Sequence, residues 1–550
     1  MSPIVLADLL HFDLLRRLRL MENSFSMYTI PAAPYAVLLG TCFILYFLVY
    51  PVVVYFRDPK GLRKFPAMTP LSGISSIPFM LLAHTGARSA RLVELHKKHP
   101  VIRTGPTTLS YSDPRAIKDI YGHNTKCTKD GSYNITAGSH FHLADVIDKP
   151  DHARKRKVLS SAYALKNLEG WEHKVADKTA RMIAHFDRCC TAPLTPGRLP
   201  EARELNVDYR EWTNYFTLDA IADIGLSEIL GFLDNGHDRV TGRRTDGTKY
   251  ECNFRECLYQ NARKQSLLIW PYKWYPLINK LSNAIPFYGR MGKLARDWDG
   301  IPLELAHRRL QRYRRGEKLD DFFQALMEDK NGHPNNLEWG EIVAEVSIMM
   351  NAGSATTAIA MANVLYQLLK NPEAMKKLVE ELDAALDDEE LHAVVPYDRV
   401  KHLPYLRACL DESLRLFPPT PHALPRETPP EGLSILDDYI PGGVSVGMSA
   451  LVAHRNEDQF PQADKYIPER WLGEEGKNLQ PYFLAFSAGA RGCIGRNISY
   501  LEQTVVLASM LRRYEFALPH PDWEIERLET MNWLLGEMPV KVWRRVPESA

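Results

Sequence analysis

Neither sign of charge dominates this chain: 68 Lys and Arg residues against 67 Asp and Glu leave a formal net charge of +1. Without a basic excess, the composition gives no reason to expect nucleic acid or another polyanion as a partner. Cysteines are sparse. The eight, at positions 42, 127, 189, 190, 252, 257, 409 and 493, form no CxxC pair and fall below the density of a secreted disulfide scaffold, so a reducing, cytosol-facing setting is expected. No internal repeat stands out, so a repeat array is not indicated. What remains is 550 residues of ordinary globular material, 45% hydrophobic and 25% charged, enough for one large domain or roughly two to four smaller ones.

One long hydrophobic run is present. Residues 35–56, YAVLLGTCFILYFLVYPVVVYF, carry no charge and as a helix would span about 33 Å, enough for the hydrocarbon core of a bilayer. The run is too long for a signal peptide and begins too far from Met1, so a single transmembrane anchor is expected. Arg57, Lys60, Arg63 and Lys64 follow it, while Arg16, Arg17 and Arg19 before it are offset by Asp8, Asp13 and Glu22. That small bias leaves the large domain cytosolic. Residues 1–34 form a leader, in which VLADLLHFDLLRRLRL fits a membrane-surface helix as well as a frayed end. Residues 57–75, basic and interrupted by Pro66, Pro70 and Gly73, read as a linker, and residues 76–550 as the main domain.

Helical periodicity dominates beyond residue 75, over 87–99, 152–163, 168–189, 209–224, 337–370, 372–386 and 403–416. Strand-like runs are short, so the fold class is mainly α with small β-sheets. The polar stretch 236–251, GHDRVTGRRTDGTKYE, reads as an exposed, mobile loop. The longest helix is apolar on most sides at its centre, as a helix crossing a domain interior would be. In its middle lie Asn351-Ala-Gly-Ser-Ala-Thr-Thr357, small enough to leave room for a ligand.

Near the C-terminus stands Phe486-Ser-Ala-Gly-Ala-Arg-Gly-Cys-Ile-Gly495. It matches F-x-x-G-x-R-x-C-x-G at every fixed position and resembles the haem-binding loop of the cytochrome P450 family, while the anchor and the Leu62-Arg-Lys-Phe-Pro66 connection look like a microsomal, fungal-type member. The resemblance implies the cytochrome P450 fold after one N-terminal transmembrane helix, with haem b and Cys493 as the axial thiolate ligand of its iron. Gly489 and Gly495 would let the backbone turn where a side chain would collide. The N–H groups opening the next helix would hold the thiolate. Arg491 would pair a haem propionate, and Phe486 would cover the loop.

Glu412-Ser-Leu-Arg415, taken with Arg470 in Tyr466-Ile-Pro-Glu-Arg-Trp471, is similar to the family's buried Glu, Arg and Arg network, a structural support. His152 and Arg156, four apart on one helix face, look like its propionate-binding pair, and Arg426 is a further candidate. Arg154, Lys155 and Lys157 offer a basic face to an acidic flavoprotein. Ala352-Gly353-Ser-Ala-Thr356 resembles the oxygen-binding kink, with Thr356 the catalytic residue in proton delivery. The family's acidic residue before that Thr is Ala355 here, leaving Ser354, water or the substrate to complete the relay.

By resemblance the substrate pocket draws on Ala352, Gly353, Thr420, His422 and Trp533, within or beside the regions 127–147, 253–288, 420–424 and 531–533. The implied activity is insertion of one oxygen atom from dioxygen into a lipophilic small molecule. Electrons would come from NADPH through NADPH-cytochrome P450 reductase, with cytochrome b5 a second donor, at the endoplasmic reticulum membrane. A terpenoid, polyketide, alkaloid or aromatic acid suits such a pocket. Two other readings stay open: a reductase-independent haem-thiolate isomerase or dehydratase, and a non-catalytic haem carrier or sensor. The sequon matches at Asn134 and Asn497 read as chance in a cytosolic domain.

Overall fold

The computed structural model describes residues 32–160, 162–163, 169–386 and 394–545. They belong to two units, Met1–Pro59 and Lys60–Ala550. In the first, helix Ala32–Ile44 runs into a π-helical stretch, Leu45–Val49, and continues as helix Tyr50–Arg57. The cause is local: Pro51 has no amide hydrogen to give the preceding turn and its ring crowds it, so the backbone widens just before it. Val37–Arg57 is 21 residues long, long and apolar enough to cross a membrane. Large apolar side chains such as Leu39, Phe43 and Leu48 are exposed along it. Of the leader 1–34, residues 1–31 lie outside the described residues.

The second unit is mainly helical with small sheets. Helices Arg88–His96, Lys149–Ser160, Glu172–Cys189, Tyr209–Leu226, Trp339–Lys370, Pro372–Ala385 and Pro404–Leu416 occupy the stretches that periodicity marks, with ends shifted by a few residues. Trp339–Lys370 is buried along its second half against Tyr209–Leu226, Pro404–Leu416 and Arg496–Arg513. Its polar beginning and apolar middle explain both its length and its place in the core.

The largest sheet has five strands in the order Val101–Gly105, Thr108–Tyr111, Ser445–Gly447, Arg426–Glu427 and Thr128–Lys129. It packs over a second apolar core that includes Leu62 and Phe65, 1% and 7% exposed. Pro66 and Met68 exchange backbone hydrogen bonds with Arg103 at 2.8 and 2.9 Å. Residues 62–68, given above to a linker, are therefore a docked part of this unit.

The loop expected over 236–251 is instead an antiparallel hairpin, Arg239–Arg243 with Lys249–Asn253. Its polar residues are ion-pair partners for a helix. Arg243 and Lys249 bind Glu304, 1% exposed, at 2.6 and 2.7 Å, and Arg244 binds Asp297 at 2.5 Å. Both acids lie on helix Pro286–Arg314. Gly300 in that helix admits the hairpin: a Cβ there would sit 2.2 Å from Tyr250 Oη.

Candidate active site around Cys493

The loop carrying Cys493 folds back on itself. Cys493 N donates to Phe486 O at 2.9 Å and Gly492 N to Gly489 O at 3.0 Å. Gly489 has φ 65°, and a Cβ there would lie 2.1 Å from Tyr121 O and 2.7 Å from Gly122 C. Only glycine lets the loop lie this close to the end of helix Ala116–Tyr121. At Gly495 the protein itself leaves room. A Cβ there would make ordinary contacts with protein, 3.7 Å from Ile498 Cγ2 and 3.9 Å from Cys493 Sγ, and would fill space beside the sulfur.

Helix Arg496–Arg513 starts directly after this loop, so its first amides face Cys493. Burial pushes the Cys493 thiol up, against the N–H groups of Gly495 and Arg496 and the guanidinium groups of Arg156 and Arg496. The side chain is crowded by protein yet remains accessible. Crowding sets the penalty, and accessibility leaves the sulfur free to bind a partner. Every directed group around it favours the thiolate. Phe486 lies over the loop, its ring 5.2 Å from that of Tyr500 and 5.7 Å from the Arg496 guanidinium.

Beside the loop is a cavity of about 170 Å³ lined by Lys129, His152, Arg426 and Arg491 among others. Arg491 donates to Val146 O at 2.6 Å and Ile147 O at 2.9 Å, and Arg156 to Gly492 O at 2.8 Å. Arg426 donates to Pro425 O at 3.1 Å and lies 5.0 Å from the Tyr121 ring. Lys129, missed by sequence reasoning, donates to Ala144 O. Among the described residues none of these four cations has an ion-pair partner. They repel one another: burial and Arg426 hold Arg491 down at about 10, while burial, Arg426 and Arg491 hold Lys129 well down. Burial, Arg491 and the other cations bring His152 to about 4, so its ring is neutral. A cluster of partly buried positive charge around a cavity is a poor arrangement by itself and a good one for two carboxylates. The residues present fit the propionates of haem, and the open sulfur fits its iron.

In the long helix, Ala352 is exposed while Ser354 and Ala355 are buried, so one face of an interior helix opens at Ala352. Thr356 Oγ1 donates to Ala352 O at 2.7 Å and stays partly accessible. Gly353 and Ser354, between them, face the protein. Ser354 is buried and its hydroxyl donates to Met350 O at 2.6 Å, which sets it apart from the partly accessible Thr356. A Cβ at Gly353 would lie 2.7 Å from Ile221 Cγ1, so its size serves helix packing.

Behind the loop, Glu412 receives Arg415 twice at 2.8 Å, Arg470 at 3.0 Å, Trp471 Nε1 at 2.8 Å and Ile467 N at 2.9 Å. Glu412 and Arg415 are 0% exposed. Arg415 also donates to His454 O and Ala463 O at 2.8 and 2.7 Å. All four lone-pair directions of the carboxylate are taken, and this is the condition under which buried charge is tolerated.

The cytochrome P450 family model matches residues 73–543. The chain belongs to the cytochrome P450 family. It is 29% identical over 464 residues to the cytochrome P450 monooxygenase efuB of Hormonema carpetanum, covering 82% of this chain and 85% of that protein. It is 30% identical over 461 residues to the cytochrome P450 monooxygenase atr2 of Stereocaulon alpinum, 82% and 84% covered. With the benzoate 4-monooxygenase bphA of Aspergillus niger it shares 26% identity over 540 residues, 95% of this chain and 100% of that one. The chain is accordingly a haem-thiolate monooxygenase.

Within this cytochrome P450, Thr420 Oγ1 is bonded to Asn532 Oδ1 at 2.7 Å, while His422 and Trp533 are buried. The basic face expected on helix Lys149–Ser160 is largely cancelled. Arg154 pairs with Asp151 and Glu341, and Lys155, 4% exposed, turns inward to Glu341 and Glu345. Lys157 stays exposed.

Proposed function

We propose that this cytochrome P450 is a single-pass protein of the endoplasmic reticulum membrane with a cytosolic catalytic domain. It inserts one oxygen atom from dioxygen into a lipophilic small molecule of secondary metabolism, with electrons from NADPH through NADPH-cytochrome P450 reductase. The observation that carries this reading is the accessible Cys493 sulfur, flanked by two helix-start amides and Arg156. Haem bound there supplies dioxygen activation at an iron held by cysteinate. The chain's own residues have separate tasks. Arg426, Arg491, Lys129 and neutral His152 hold the propionates. Gly495 N–H and Arg496 N–H favour the thiolate against the effect of burial. Thr356 orders a proton donor over the open face at Ala352. The Glu412 network keeps the loop in register.

The test is the reduced, carbon monoxide-bound spectrum of membranes containing wild type and Cys493→Ser. A red-shifted, thiolate-type Soret band in the wild type, absent from the variant, is expected. Haem-loaded wild type without that band would refute the ligand assignment. NADPH-dependent product formation with added reductase separates a monooxygenase from a reductase-independent isomerase. Glycosylation at Asn134 in cells would overturn the cytosolic placement.

A further inference from the structure

Residues 142–148 form a strap between the long helix and the cavity beside Cys493, and its carbonyls hold the cations there. Ala144 O accepts from Lys129 Nζ. Val146 O, Ile147 O and Asp148 O accept from Arg491 at 2.6, 2.9 and 3.3 Å. Asp148 Oδ1 accepts the N–H of Asp151 at 2.8 Å and Asp148 O that of His152 at 3.1 Å, so the strap also starts the helix that carries His152 and Arg156. The strap folds on itself: His142 N donates to Asp145 Oδ1 at 2.8 Å, and Asp145 N and Val146 N donate to His142 O, each at 3.1 Å.

A side chain of the long helix grips this strap. Leu143 N donates to Glu345 Oε1 at 2.9 Å, and both residues are buried. Lys155 Nζ lies 3.4 Å from the same oxygen and also pairs with Glu341. Burial pushes the Glu345 carboxyl up, and the Lys155 charge acts against this. Without Glu345, the Leu143 N–H would be a buried donor with its acceptor gone, which the strap could relieve only by moving. Glu345 stands seven residues before Ala352, which is two turns or roughly 10 Å along the helix and within about 20° of the same face. The face that opens at Ala352 therefore also carries the carboxylate that holds the strap.

We propose that Glu345 is a positioning residue for the cofactor: through Leu143 it fixes the strap whose carbonyls aim Lys129 and Arg491 at the propionates. This rests on the haem reading above and adds one side chain that joins the long helix to the propionate edge. The test is the rate at which haem-loaded, full-length protein loses haem to excess apomyoglobin, read beside hydrogen exchange of residues 142–148. Glu345→Ala leaves the Leu143 N–H without its acceptor and should release haem about 10-fold faster or more, the scale on which outer-shell partners act. Exchange within 142–148 should rise with it. Glu345→Gln keeps an acceptor and should hold release to within about 3-fold of wild type. Glu304→Ala removes an equally buried acid whose partners, Arg243 and Lys249, lie on the 239–253 hairpin, so it should lower stability and leave haem release unchanged. Should Glu345→Ala fail to load haem, Glu345→Asp, which withdraws the carboxylate by one methylene, takes its place with the same expectation. Wild-type release from Glu345→Ala, or equal acceleration by Glu304→Ala, would overturn the inference. So would Glu345→Gln releasing haem as fast as Glu345→Ala, since the charge on Lys155 and not the bond to Leu143 would then matter. Haem-loaded wild type without the thiolate-type carbon monoxide band would instead strike the proposed function itself.

Discussion

Leu484 N donates to His454 Nε2 at 2.8 Å, while the opposite ring nitrogen, Nδ1, lies 3.0 Å from Arg415 O. One neutral imidazole thus ties the buried Glu412 and Arg415 pair to the chain two residues before Phe486. Nε2 must accept, so the proton is on Nδ1, and a second proton would break the bond to Leu484.

This geometry sets a pH dependence. Burial and the Arg415 charge bring His454 from 6.5 down to about 3. Between those values the unfolded chain binds a proton that the folded protein does not, so stability is fully present above about pH 6.5 and declines as pH falls toward 3. The expected slope from this residue is roughly 1.4 kcal/mol per pH unit. Urea unfolding at several pH values below 6.5 should show a shallower dependence for His454→Gln, which keeps an acceptor and cannot titrate. Equal slopes in the two proteins would remove His454 from this role.

Two glycines of one loop should behave differently on becoming alanine. At Gly489 the left-handed backbone costs about 1–2 kcal/mol, and the Cβ overlaps Tyr121 O and Gly122 C, which cannot swing aside. Gly489→Ala should therefore lower the melting temperature even without haem. Gly495→Ala has room within the protein, so its haem-free melting temperature should match wild type while haem content falls. Circular dichroism melts and pyridine haemochrome assays decide it, and a haem-free Gly495→Ala protein as unstable as Gly489→Ala would contradict the geometry.

Loss of one partner from the Glu412 network should be severe. Glu412→Gln leaves Arg415 at 0% exposure with its carbonyl contacts and no counter-charge, a loss of about 3–5 kcal/mol. Denaturant midpoints and haem retention report it. A variant with wild-type stability would mean that the backbone carbonyls of His454, Ala463 and Lys465 suffice to hold the guanidinium.

The sequence carried some of this plainly. The Cys493 loop was readable because its constraints act within a few residues: a positive φ at Gly489, amides at a helix start, a backbone bond from Cys493 to Phe486. The long helices were readable because apolar spacing survives without knowing the partner. The hairpin over 239–253 was not, since its alternating polar residues look solvated until Glu304 and Asp297 arrive from a helix some fifty residues on. The helix bearing them was hidden in turn by Pro302 and its glycines, residues that normally break helices. Lys155 looked like surface charge because nothing local shows Glu341 and Glu345 closing over it. Gly353 needed Ile221, and His454 needed both Arg415 and Leu484. What failed was contact at long range, not local chemistry.

Thr356 is the sharpest test of catalysis. Its hydroxyl is a partly accessible side-chain donor beside the open face of the long helix, bonded to Ala352 O, while Ala355 supplies no carboxylate and Ser354 is buried. Thr356→Val keeps the volume and removes the hydroxyl. Substrate affinity should stay within about 2-fold, because no substrate binding is assigned to that group. Product formed per NADPH consumed should fall about 10-fold or more, with released hydrogen peroxide rising to balance it, since a positioned proton donor contributes about 10²–10⁴-fold. Ser354→Ala, whose hydroxyl serves only its own helix, should keep wild-type coupling. Measuring NADPH oxidation, product and peroxide together separates the cases. If Thr356→Val stays fully coupled, proton delivery runs through the substrate or ordered water alone; if Ser354→Ala uncouples, the buried Met350 bond is not its resting role.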